Sequence, residues 1–300
     1  MPIKDVFGTA TAAPPAPAGW AYDPAKTYLT GMGGNTQDAT PGSYQVRLYS
    51  PVDDEWSGEE DTGFGTTGTN NYGWQAVTNK KYIICNAYGS PGKMSKYDPG
   101  SDTWTLLGVP PMALFQHNCA CSDGITGVYV QEQNLKLWHW EETTDTWTAL
   151  LAAPSISIPA TSIARIGTKI YMFTASTVHE YDIPGNTWTA NVAAQPSWFF
   201  VGGSSGSDGT GLIYWWQNNS FKSFDGTTFV VLAASPLDAS AGISFNTANM
   251  AVHGGKVYVP TTALGASTYA HVSVYDIASN TWDANVKQTG QSHLKGLFVL

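Results

Sequence analysis

The string His117-x-Cys119-x-Cys121 brings together the most metal-like residue types in this 300-residue chain. On a strand, alternate residues share a face, so all three side chains would point the same way. Residues two apart on one strand sit about 6.5–7 Å from each other. That is too far to converge on one tetrahedral ion, whose ligands usually come from turns spaced like C-x-x-C. The string therefore reads as small side chains packed between sheets, with Cys85 packed beside them. Asp53, Asp54, Glu55, Glu59, Glu60 and Asp61 crowd one short stretch. They lack the alternation and central Gly of a calcium loop and read as a solvated acidic face. His139, His179, His253, His271 and His293 are scattered without a shared partner. No H-E-x-x-H, G-x-S-x-G or phosphate-cradling glycine loop occurs. The expectation is no catalytic residue, no metal and no cofactor, hence a protein that is not an enzyme.

Tryptophan offers a different chemistry. Trp20, Trp74 and Trp198 fall at or near the starts of strands, and Trp215-Trp216 are adjacent, so one faces opposite to the other. Such platforms, with Gln75, Gln217 and Asn218 as hydrogen-bonding neighbours, would stack on sugar rings, which makes a cell-surface glycan a candidate partner. The other reading is that these indoles extend an apolar core.

Bulk composition removes several function classes. The net charge of −9 argues against nucleic acid and anionic membranes as partners, because counterion release needs clustered Lys and Arg. Only two arginines occur, Arg47 and Arg165, so an arginine clamp for carboxylate or phosphate is not expected. Three cysteines cannot form a fully paired disulfide framework. Residues 1–19, MPIKDVFGTATAAPPAPAG, contain no apolar core of secretory-signal length, and no stretch elsewhere is long enough to span a bilayer. The expected location is a cytoplasm, or a virus particle assembled there. The Ala/Pro-rich half of the segment reads as an extended arm.

What must position any site is a repeat. Six copies of one phrase fill the chain, about 40–50 residues apart, the period of propeller blades. Each begins with a Tyr in an apolar run after a tight turn: Tyr28, Tyr82, Tyr129, Tyr171, Tyr214 and Tyr258. A second aromatic follows, mostly before an acid: Tyr49, Tyr97, Trp140, Tyr181, Phe224 and Tyr275. A third comes five or seven residues later: Trp56, Trp104, Trp147, Trp188, Phe229 and Trp282. Small and Asx residues before the first Tyr (Asn79-Lys80, Asp123-Gly124, Gly167-Thr168, Asp208-Gly209, Gly254-Gly255) suit two-residue hairpin turns. The fold expected is all-β, a six-bladed β-propeller of four-stranded antiparallel blades near 20–58, 72–107, 117–151, 160–192, 198–233 and 246–286. The first and third aromatics are expected to bury against neighbouring blades. Residues 20–56 would supply all four strands of blade one. Residues 287–300, with the apolar HLKGLFVL, would then clasp the ring or contact another chain, the clasp being preferred because an unpaired apolar edge is a liability.

The phrase resembles the kelch repeat, in which an apolar strand with Tyr and a Gly-Gly doublet precede Y-D-P-x-x-x-x-W. Tyr97-Asp98-Pro99 to Trp104 matches that ending, and Tyr181 and Tyr275 match with Ile in place of Pro. The doublet stands in place only at Gly33-Gly34. The resemblance implies a kelch-like propeller, but the Tyr, Cys and paired His of copper-radical kelch oxidases do not assemble here. Fold alone licenses no function. A Thr/Ala/Gly/Ser-rich, arginine-poor domain behind a Pro-rich arm resembles bacteriophage structural proteins in composition. The expectation is a non-enzymatic structural or binding module, a virion component (tail, fibre or head surface) whose partners are virion proteins or itself. A carbohydrate-binding propeller and an intracellular kelch scaffold are the alternatives.

Overall fold

The computed structural model describes residues 22–34, 44–57, 60–61, 75–86, 93–112, 120–132, 136–152, 162–174, 176–194, 204–217, 220–234, 249–261, 271–283, 287–288, 293–294 and 297–300. These form six antiparallel sheets and no helix, a six-bladed β-propeller. The fourth blade shows the plan. Its strands Ser162–Ile166, Lys169–Phe173, Thr177–Asp182 and Thr187–Ala194 lie side by side in chain order. Tyr171 stands opposite Glu180, and Tyr181 opposite Trp188. The turns match the sequence chemistry: Asn79 and Lys80 both take positive φ (47° and 55°), the primed geometry whose twist suits a hairpin.

Six clusters of buried side chains occupy the six gaps between neighbouring blades. Tyr28, Leu48, Tyr82 and Tyr97 join blades one and two, and Tyr129, Ile163, Ile170 and Tyr181 join three and four. Leu29, Tyr49, Ala251, Tyr258 and Leu297 join six to one, closing the ring. All six first-anchor tyrosines are buried. The second anchors are deeper still, each 4% exposed or less.

Two expectations change. The third anchors Trp104, Trp147, Trp188, Phe229 and Trp282 are only half-buried; the Trp56 side chain lies outside the described residues. Blades fan out from the axis, so the outermost strand meets less of its neighbour than the middle ones do. Blade one is also not self-sufficient among its described strands. Leu29–Gly34 pairs on one side with Tyr44–Ser50 and on the other with His293–Leu294 and Phe298–Val299. The chain's last residues thus supply the axial strand of the first blade.

Candidate protein-docking face at the channel mouth

Six axial segments, Gln75–Thr78, Ala120–Ser122, Ser162–Ile166, Ser204–Ser207, Ala251–His253 and Phe298–Val299, surround a cavity of about 410 Å³. In a four-stranded meander the turn after strand one and the turn after strand three fall at the same end. Residues 79–80, 123–126, 167–168, 208–212 and 254–255 therefore ring one mouth of this channel.

Arg165 dominates that mouth. Its Nε donates to the Ser122 carbonyl at 3.0 Å and its Nη1 to the Gly167 carbonyl at 2.6 Å. The guanidinium also lies over two backbone turns. A Cβ on Gly124 would collide with Nη2, and one on Gly209 would come within 2.9 Å of it. Glycine at both positions, each at positive φ, lets one cation span blades three, four and five. Nη2 makes no hydrogen bond among the described residues. On the same ring of turns, Ile125 is 73% exposed and lines the same cavity as Arg165, and Leu212, on the turn that carries Gly209, is 36% exposed.

Toward the rim, Glu142 reaches from blade three to blade two. It accepts from Lys96 Nζ at 2.6 Å, Lys81 Nζ at 3.0 Å and Asn79 Nδ2 at 3.0 Å. Burial alone would raise its pKa, but these bonds outweigh it and hold the carboxyl at about 2.

The same end carries a repeated staple that the sequence reading passed over. Five residues after the second anchor stands an Asx at positive φ: Asp54, Asp102, Asp145, Asn186 and Asn280. Each accepts a hydrogen bond from that anchor's polar tip, at 2.6 to 2.9 Å. Three of them also take a backbone N–H from the preceding blade: Gly108 to Asp145, Leu151 to Asn186, and Ala233 to Asn280. Trp188 and Trp282 then return Nε1 to the carbonyls of Leu151 and Ala233. The signal was present as an Asp or Asn two residues before Trp in these five copies. Phe224 to Phe229 is two residues shorter and has no such Asx. That gap between blades four and five holds Phe173, Trp215, Phe224 and Phe229 in mutual ring contact instead.

Of the sugar-platform residues, Trp215 and Trp216 are the ones with described side chains. Trp215 and Trp216 are 0% and 1% exposed, one turned toward blade four and the other toward blade six. A middle strand has a neighbour on each face, so opposite orientations both end in core and neither indole can stack on a sugar. Gln75 and Gln217 lie on strands, but their side chains are outside the described set. Trp20, Trp74, Trp198 and Asn218 are outside the described residues, as are His117 and Cys119. Cys121, half-buried, packs in the gap between blades three and four, where burial pushes its thiol up to about 12.

No protein-family model matches the chain, and no curated protein matches it. Solved structures do. A chain from a nidogen/laminin complex superposes with a TM-score of 0.62 at 10% identity, covering 91% of this chain and 98% of that one. TolB from Acinetobacter baumannii gives the same score at 12% identity, covering 91% of this chain and 66% of that one. At such identities the likeness is one of fold, and the fold it shows is the six-bladed propeller.

Proposed function

We propose that this chain is a non-enzymatic binding module that docks a protein partner on the channel-mouth face. One observation carries the reading: a cation with spare donor capacity, Arg165, shares one ring of short turns with the exposed Ile125 and Leu212. Arginine beside apolar contacts is the composition that protein interfaces favour over ordinary surface. One of the superposing structures is itself a complex of two proteins, which agrees with a binding role for the fold.

The finer reading rests on composition. The Thr/Ala/Gly/Ser-rich, arginine-poor composition, with the Ala/Pro-rich sequence of residues 1–19 (outside the described residues), suits a bacteriophage virion component whose partners are other virion proteins. Mass spectrometry of purified particles from the native source, beside the host's soluble fraction, tests it. Defined stoichiometry in the particle is expected; recovery only from the soluble fraction would remove the virion assignment and leave the docking face standing.

A further inference from the structure

The structure assigns to blade three a divalent transition-metal site of the zinc class, formed by Asp123, His139 and Glu141. Independently of any docking role, one ligating atom from each lies within 4.8 Å of those of the other two. Asp123 comes from the turn after the axial strand, while His139 and Glu141 come from Lys136–Glu141. His139 and Glu141 are two apart on one strand, the spacing that argues against His117-x-Cys119-x-Cys121. Here the long Glu arm and the ring lean toward each other, and the third donor arrives from a separate turn. Asp123 Oδ2 is 3.1 Å from His139 Nε2. A zinc-type ion holds N and O donors at about 2.0–2.2 Å, so the Glu141 carboxylate must swing inward to close on an ion held by Asp123 and His139.

Three further features point to a built site. Gly127 lies directly beneath the donors: a Cβ there would collide with His139 Nε2 and come within 2.6 Å of Asp123 Oδ2. The His139 ring rests against Tyr129, centroids 4.6 Å apart, which directs Nε2 into the cluster. Asp123 Oδ1 takes the Ile125 N–H at 2.7 Å, and Thr143 donates to Glu141 from both its amide and its hydroxyl, so both carboxylates are oriented by bonds of their own. One imidazole with two carboxylates suits Zn²⁺ first and Mn²⁺ more weakly, and is a poor set for Ca²⁺ or Mg²⁺. All three residues are half-buried, so an ion can enter and keeps open positions for water.

Equilibrium dialysis of the full chain against Zn²⁺ and Mn²⁺, with Ca²⁺ and Mg²⁺ as controls, reads the assignment. One Zn²⁺ per chain is expected, weakened about tenfold or more in His139→Gln and in Asp123→Asn, and unchanged in His253→Gln. With Co²⁺ the native chain should give ligand-field bands without an intense thiolate charge-transfer band, a readout that stands if a variant fails to fold. Absence of Zn²⁺ binding would overturn the site. So would full affinity in both folded variants, or a thiolate band lost in Cys119→Ser.

Discussion

The indole Nε1 of Trp188 donates to the main-chain carbonyl of Leu151 at 2.9 Å, crossing from the fourth blade to the third. The Leu151 N–H is taken at the same time by Asn186. One outer-strand residue is thus gripped through both its backbone groups by the next blade, and Trp282 with Asn280 repeat the grip on Ala233. The staple ties blades together at the radius where apolar packing thins out. Trp188→Phe, which keeps the ring and loses the donor, should cost about 1 kcal/mol. Trp188→Ala should cost about 2 kcal/mol, below the roughly 3–5 kcal/mol of a fully buried Trp, because this one is half-buried. Asn186→Ala removes the acceptor for two donors from a positive-φ position and should cost about 1–3 kcal/mol. Urea unfolding of the three variants checks this. An unchanged midpoint for all three would mean the staple holds nothing.

Acid should act through Glu142. Its folded pKa, about 2, lies below its ordinary value of 4.5, so the unfolded chain takes up the proton first. Its contribution to stability is whole above pH 4.5 and is lost as pH falls toward 2. Glu142→Gln should therefore be less stable than the native chain at neutral pH and show a flatter decline across that window. Equal slopes in thermal melts from pH 5 to pH 2 would count against the Lys81–Glu142–Lys96 cluster.

Closure of the ring rests on Leu297, wholly buried between blades six and one. Leu297→Ala should cost about 2–5 kcal/mol, as other buried Leu→Ala changes do. Removing residues 293–300 should cost more, since Leu29–Gly34 would lose its axial partner. A truncated chain that melts at the native temperature would show that the ring does not depend on this strand.

Much of this fold is legible in the sequence because a propeller writes its core once per blade. Tyr171, Tyr181 and the 167–168 turn recur with their counterparts once per blade, and the strands of blade four lie within or close to the expected 160–192 span. What is not written periodically is harder to read. His293–Leu300 carries no copy of the phrase, so its place as the axial strand of blade one follows from ring closure and not from local pattern. Trp188 looks like core by residue type, yet the radius of its strand, which sequence does not show, leaves it half-buried. Trp215 and Trp216 look like a pair with one outward face, but a blade between two blades has none. Asp123 and His139 are sixteen residues apart and meet only through strand pairing, so no spacing rule would have joined them.

The central claim is that a protein partner docks on the turns around Arg165. The most direct measurement is immobilised-chain binding of the proteins found with it in its native particle or complex, comparing the native chain, Ile125→Asp with Leu212→Asp, and Leu106→Asp as an exposed apolar control on an outer strand. The account predicts a defined partner bound by the native chain and the Leu106 variant, with binding cut at least tenfold in the double variant while its melting temperature is unchanged. Equal binding by all three would contradict it and move the interface away from the channel mouth.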